Sequence, residues 1–254
     1  MAHLEHQLAV VTGGANGIGL AIVERFVADG AAVAVLDRDA ERGSAVQRRL
    51  GRRVHFVTCD VAIDSQVHDA VDEAVRVLGG VSVLVNNAGV NAYFDATQMS
   101  ESDWNAVLDV DLKGAWLCSK YAIPVMVQNN GGSVINISSI HAFMTTRGMF
   151  PYAAAKAGLI GLTRNLALDY GTANVRVNAI CPGWIHTHLV DEWLGLQTDP
   201  EAALANVLKA HPLGRIGTPQ EVAGMAAFLA SSDASFITGA AFLVDGGLSA
   251  KFGI

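Results

Sequence analysis

Seven short apolar runs, separated by helical patterns, constrain this 254-residue chain more than any other feature. They are Leu8–Thr12, Ala32–Asp37, Val54–Thr58, Val81–Asn86, Val134–Ile137, Val175–Ile180 and Ala241–Val244. Most are continuously hydrophobic, as in Ala32-Val-Ala-Val-Leu36 and Val81-Ser-Val-Leu-Val85. A strand of that kind needs cover on both faces, which is the situation of a parallel strand between layers of helices. The expected fold class is therefore α/β, a doubly wound parallel sheet of about seven strands flanked by crossover helices.

Helix starts fall where this scheme needs them. Thr218-Pro219-Gln220-Glu221 combines an N-cap, proline at the first helical position and a capping-box glutamate, predicting a helix to about Leu229. Ser100 with Asp103 marks a similar start for a helix carrying Trp104, Val107 and Leu108. No internal repeat, low-complexity tract or Pro/Gly/Ser linker interrupts the chain, so residues 1–254 read as a single domain. The stretch Cys181–Lys209 is the least regular, and residues 183–210 are expected to form a mobile substrate lid.

Composition narrows the function classes. With 51% hydrophobic and 16% charged residues the chain is suited to a large buried core, not to disorder. A net charge of −7 without a run of Lys or Arg argues against a nucleic-acid partner. No window offers the ~18 consecutive apolar residues of a membrane span, and the N-terminus has no secretory pattern. Cys59, Cys118 and Cys181 are odd in number and widely spaced, as in neither a disulfide framework nor a zinc site, so a reducing, cytoplasmic setting is expected. Eight histidines include His186 and His188 two apart and His141, but no further ligand stands at a recognisable spacing, so no metal site is expected.

The first strand runs directly into Thr12-Gly13-Gly14-Ala15-Asn16-Gly17-Ile18-Gly19 and then into a helical stretch, Leu20–Ala28. Strand, glycine turn and helix start together suit a pyrophosphate, because backbone N–H groups and the helix N-terminus attract anions and absent side chains permit close approach. Asp37 ends the second strand 18 residues after Gly19, near the offset at which an acidic residue accepts hydrogen bonds from an adenosine ribose. Its charge would repel a 2′-phosphate, and Asn16 brings no cation into the turn, so NAD is expected over NADP despite the neighbouring Arg38. These features make the sheet Rossmann-type.

Tyr152 and Lys156 stand four apart at the start of an apolar helix running through Leu159, Leu162, Leu166 and Leu168, and so share a helix face. Lowering a phenol's pKa of ~10 by two units needs about 2.7 kcal/mol. One cation ~4 Å away at an effective dielectric near 20 would supply ~4 kcal/mol. Lys156 is thus expected to make Tyr152 a competent base near neutrality.

With these motifs in place, the chain resembles the short-chain dehydrogenase/reductase family over nearly its whole length. The family's Thr-Gly-x-x-x-Gly-x-Gly turn is Thr12 to Gly19, its Asn-Asn-Ala-Gly stretch is Asn86 to Gly89, and its serine lies in Ile137-Ser138-Ser139, Ser139 standing thirteen residues before Tyr152. Pro182-Gly183 and Asp245-Gly246-Gly247 match as well. The resemblance implies that Tyr152 exchanges a proton with the substrate oxygen, that Lys156 lowers its pKa and holds the nicotinamide ribose, and that Ser139 hydrogen-bonds the same substrate oxygen. Ser138 is expected to face the scaffold. It further implies that Asp60 and Val61 border the adenine and that Asn87, Ala88 and Gly89 lie along the adenosine ribose. Pro182, Gly183, Ile185 and Thr187 would meet the nicotinamide. A homotetramer is implied too, with paired helices and the apolar end Ala240–Ile254 at its interfaces.

One position departs from the family. Asp111 stands in Val110-Asp-Leu-Lys-Gly114 where the family usually has Asn supporting a water-mediated proton route to the lysine. An ionised carboxylate accepts hydrogen bonds but donates none, and near Lys156 it would weaken the ammonium's effect on Tyr152. An altered relay is expected there. The substrate is expected to be a small sugar or polyol, because His141, Arg147, Trp184 and His186, with His188, put hydrogen-bonding groups beside aromatic surface. The alternatives are a hydrophobic carbonyl, 3-oxoacyl or steroid-like, lined by Phe143, Met144, Met149 and Phe150, or a catalytically silent NAD(H)-binding protein.

Overall fold

The fold follows from a period-two division of the strand residues. In the computed structural model, which describes residues 4–251, the strands are β1 (Leu8–Thr12), β2 (Ala32–Asp37), β3 (Val54–Thr58), β4 (Val83–Asn86), β5 (Gly132–Ile137), β6 (Val175–Pro182) and β7 (Ala241–Val244). All pair in parallel in the order β3-β2-β1-β4-β5-β6-β7. The helices are α1 (Gly17–Ala28), α2 (Ala40–Leu50), α3 (Asp64–Leu78), α4 (Glu101–Leu108), α5 (Gly114–Gln128), α6 (Tyr152–Tyr170), α7 (His188–Gly195), α8 (Pro200–Ala210) and α9 (Pro219–Ala230).

Val11, Val33, Val35, Val83 and Val85 point to one face and pack against Ile22, Val23 and Phe26 of α1 and Val222, Ala226 and Leu229 of α9. Their neighbours Val10, Ala34, Leu36 and Leu84 point the other way, onto Val67 and Val71 of α3 and Leu117, Ile123 and Met126 of α5. Burial on both faces is what the continuous hydrophobic runs require. The doubly wound fold is therefore observed, with seven strands. The chain moves from β1 out to β3 and then returns to β4 on the other side, so β1 and β4 open a crevice at their carboxyl ends, where such sheets bind ligands.

Some boundaries differ from expectation. Strand β4 starts at Val83, not Val81, because Ser82 Oγ, rather than a backbone carbonyl, receives the Leu8 N–H at 2.9 Å. Strand β5 starts at Gly132, two residues early. Strand β6 continues through Cys181 and Pro182, which pair with Leu243 and Val244, so these two residues are core sheet and not part of an irregular segment. The segment expected to be irregular is mostly helical, forming α7 and α8; Asp199 caps α8 by accepting from Ala202 N at 3.0 Å, with Pro200 at its start. The capping box at Thr218 and Glu221 and the Ser100 cap form as read.

A buried polar ladder fixes α6 to the sheet. Asn86 Nδ2 donates to Asn136 Oδ1 at 2.8 Å, Asn136 Nδ2 donates to Thr163 Oγ1 at 2.8 Å, and Thr163 Oγ1 donates to Leu159 O at 2.8 Å. Buried amides are stable only when so paired. Because it joins β4 and β5 to α6, the ladder sets the height at which α6 presents its first turn.

Candidate active site

At the carboxyl end of β1, the Thr12 hydroxyl accepts the N–H groups of Asn87 (2.9 Å) and Ala88 (3.0 Å). Asn87 Nδ2 donates in return to Thr12 O (3.0 Å) and Gly13 O (3.1 Å). Strands β1 and β4 are thereby clamped where the crevice opens. Gly13 and Gly17 have φ of +61° and +54°, a region that favours glycine. Gly19 is required by packing, since a Cβ there would lie 2.1 Å from the Gly13 carbonyl oxygen. Asn16 caps α1, its Oδ1 accepting from Gly17 N at 2.8 Å, with half-buried Ile18 following.

Asp37 closes one side of this turn. Its Oδ2 accepts from Ala15 N and its Oδ1 from Asp39 N, each at 3.0 Å. Beyond β3, Asp60 Oδ1 accepts from Ala62 N at 3.0 Å, and buried Val61 packs closely over Gly114. Across the crevice Gly183 N donates to Val244 O at 3.0 Å and buried Ile185 bridges to Gly217. Thr187 begins α7 with its methyl 3.4 Å from where a Gly17 Cβ would lie. Asn16 Nδ2 also reaches His188 Nδ1 at 3.3 Å, so the lid segment touches the glycine turn directly.

The second half of the site forms where β5 ends beside α6. Ser138 is scaffold, its hydroxyl donating to Lys156 O at 2.8 Å. Ser139 Oγ accepts from His141 N at 3.2 Å. Lys156, one turn after Tyr152, is buried with its Nζ 5.4 Å from the Tyr152 ring centroid, and it donates to Ile137 O at 3.2 Å. Asp111 lies on a π-helical turn, Asp109–Lys113, between α4 and α5. Such turns recur at functional sites, and this one holds the carboxylate in the interior. Its Oδ2 is 3.5 Å from Lys156 Nζ and its Oδ1 accepts from Val90 N at 2.7 Å.

The electrostatics correct one expectation. Burial pushes the half-buried Tyr152 phenol above the ordinary tyrosine value. Lys156 and Ser139 pull it down, but Asp111 pushes it further up. Desolvation therefore outweighs the ammonium in the free chain. Lys156 itself is held in its charged form by Asp111 and Tyr152 against burial.

The expected substrate residues are partly brought together. His141 is half-buried, edge-on to Tyr152 at 5.8 Å between ring centroids, and bonded to Thr145 Oγ1 at 2.9 Å. Arg147 is exposed on the rim of a 580 Å³ cleft lined by Tyr93, Phe94, Asp95, Thr146, Met149, Phe150, Trp193, Leu196 and Gln197. Trp184 packs edge-on against Trp193 at 4.6 Å and so anchors α7, while His186 is exposed and joined by its backbone N–H to Gly217 O. Sequence reasoning missed Tyr93, Phe94 and Trp193. They stand in loops and a short helix, where no periodicity marks them.

The turn fits a dinucleotide. Glycines leave its outer surface free of side chains, the first turn of α1 faces it, and each Asp37 oxygen has spare acceptor capacity beyond its backbone bond. Residues 13–249 match the family model described as enoyl-(acyl carrier protein) reductase. An uncharacterized oxidoreductase of Thermotoga maritima is 39% identical over 98% of this chain and 98% of its own. The 2-(S)-hydroxypropyl-CoM dehydrogenase 3 of Xanthobacter autotrophicus is 36% identical over 97% and 98%. The solved ligand-free aldohexose dehydrogenase of Thermoplasma acidophilum superposes with a TM-score of 0.92 at 40% identity, covering 100% of this chain and 98% of that one. The chain thus belongs to the short-chain dehydrogenase/reductase family. It is an oxidoreductase acting on alcohol or carbonyl groups with a nicotinamide cofactor.

Gly19→Ala should weaken dinucleotide binding at least about tenfold while the fold persists, because the added methyl displaces the Gly13 carbonyl from the turn. Calorimetric titration with NADH, beside a circular-dichroism spectrum, reads both; unchanged affinity would contradict the assigned turn.

Proposed function

We propose that this enzyme is NAD-dependent and moves a hydride between the nicotinamide and a secondary alcohol or carbonyl carbon, with a sugar or polyol as substrate. The observation that carries the cofactor choice is the Asp37 carboxylate, fixed at the edge of the glycine turn by its bonds to Ala15 and Asp39. It can accept from a ribose hydroxyl and opposes a 2′-phosphate. No Lys or Arg stands within the turn itself, Thr12 to Gly19, to favour NADP.

Bound NAD supplies the hydride acceptor. Thr12, Gly13, Asn16, Gly17, Ile18 and Gly19 hold its phosphates, Asp37 with Asn87, Ala88 and Gly89 its adenosine ribose, and Asp60 and Val61 its adenine. Pro182, Gly183, Ile185 and Thr187 orient the nicotinamide end. Tyr152 takes the hydroxyl proton during oxidation and returns it during reduction. Ser139 donates to the same oxygen and stabilises charge developing there. Lys156 stabilises the ionised phenol and holds the nicotinamide ribose. The presence of Ser139, Tyr152 and Lys156 at one site speaks against a silent binder.

The polar substrate is supported by Tyr93, Thr146, Arg147 and Gln197 around the cleft, by His141 beside Tyr152, and by likeness to a protein named for aldohexoses. A hydrophobic carbonyl is the second reading, favoured by Phe94, Met149, Phe150, Trp193 and Leu196 in the same lining. Residues 183–210 act as a lid, a role supported by the contact of His188 with Asn16. We also propose a homotetramer. Its support is the half-exposed Trp116 of α5 beside Leu112 of the π-helical turn and Leu162 of α6; residues 252–254 of the expected C-terminal interface lie outside those described. Three buried, unpaired cysteines support a cytoplasmic setting, and no described helix is long and apolar enough to cross a membrane.

The native enzyme should use NAD at least about tenfold more efficiently than NADP, and Asp37→Asn should narrow that ratio by a similar factor, since it removes the charge but keeps an acceptor for Ala15 N–H. Equal use of both cofactors by the native enzyme would overturn the choice. In a screen with NAD across aldoses, polyols, hydroxy acids and steroids, read as NADH absorbance, aldoses or polyols should be oxidised. Turnover of hydrophobic alcohols alone would decide for the second reading.

A further inference from the structure

Buried carboxylates are costly unless paired, and Asp111 has no exposed side-chain surface. Val90 N–H satisfies Oδ1 at 2.7 Å, whereas Oδ2 has no hydrogen-bond partner among the described residues. What faces Oδ2 is the Lys156 ammonium at 3.5 Å, itself buried and under the Tyr152 ring. Gly89 closes over the pair, since a Cβ there would stand 3.3 Å from both Asp111 Oδ1 and Lys156 Nζ.

We infer that Asp111 is a positioning residue that offsets the Lys156 ammonium and thereby sets the pH at which Tyr152 changes its protonation state. The inference rests on Tyr152 being the proton-transfer group. The other titratable groups facing the phenol are uncharged near neutral pH. Burial pushes the Cys181 thiol on β6 up to about 11 and the Tyr93 phenol, after β4, up to about 12, and it holds the His141 imidazole below its usual value. Glu192 of the lid acts on Tyr93 as well. What remains near Tyr152 is the Lys156 ammonium and Asp111, whose carboxyl burial pushes above the usual carboxylate range while Lys156 and the Val90 N–H pull it down.

The sign is fixed by this arrangement. A negative charge near a phenol disfavours the phenolate, so Asp111 moves the ionisation of Tyr152 to higher pH. Alcohol oxidation, which needs the phenolate, then gains rate only as the pH rises, while carbonyl reduction, which needs the phenol, keeps its acid to higher pH. A neutral amide at this position would keep an acceptor for Val90 N–H and remove only the charge.

Four tyrosines make the test direct. Label the chain with tyrosine carrying carbon-13 at Cζ, assign Tyr152 by its loss in Tyr152→Phe, and titrate the cofactor-free protein by NMR. Native Tyr152 should ionise above the ordinary value of about 10, and Asp111→Asn should lower that value by about one pH unit or more. The rising limb of kcat/KM for oxidation should move to lower pH by a similar amount. A residue that only braces the fold would change amplitude and leave the profile in place. A Tyr152 value below about 10 in the native protein overturns the inference, as does an unchanged titration in folded Asp111→Asn. The native titration decides alone if the variant does not fold. Because the titration needs no turnover, it is independent of whether Tyr152 proves essential for catalysis.

Discussion

A buried ammonium is the constraint on which the site depends. Lys156 cannot reach solvent, so its charge must be met inside, and three elements meet it: Ile137 O at the end of β5, Asp111 on the π-helical turn, and the Tyr152 ring one turn earlier on α6. Removing either charge of such a pair leaves the other uncompensated, which is far more costly than losing a surface salt bridge. The geometry proposed for catalysis and the integrity of this corner of the core are therefore the same set of contacts.

The same economy links the cofactor turn to the sheet. Thr12 and Gly13 accept four hydrogen bonds from Asn87 and Ala88 across the ends of β1 and β4, so the crevice is braced by the residues that border it. Gly19 lets α1 approach this brace closely. The Asn86, Asn136 and Thr163 ladder carries the brace on to α6. A displacement at the glycine turn would thus be transmitted to Tyr152 through packed, hydrogen-bonded groups, not through a flexible loop.

Much of this was legible in the sequence, because the features concerned depend on local backbone chemistry. Continuous hydrophobic strands implied two covered faces, glycines marked positive φ or close approach, and the four-residue spacing of Tyr152 and Lys156 placed them on one helix face. Spacing also made Ser139 rather than Ser138 the expected substrate-facing serine, and in the fold the Ser138 hydroxyl is engaged with Lys156 O. Less legible were effects made by tertiary packing. The cap at Asp199-Pro200 starts α8 within a stretch whose composition carries little helical periodicity. The cleft aromatics Tyr93 and Trp193 meet only because the loop after β4 faces α7. The net push on the Tyr152 phenol depends on how deeply the folded chain buries it, a quantity no spacing encodes.

The central claim is that Tyr152 moves the proton while the dinucleotide is held elsewhere. The most direct measurement is turnover of Tyr152→Phe with the best alcohol substrate, beside NADH affinity by fluorescence titration. In Tyr152→Phe, kcat should fall by roughly a thousandfold or more while NADH affinity stays within about threefold, since only the hydroxyl is removed. Turnover within about tenfold of the native enzyme would contradict it, and would place the proton on another group.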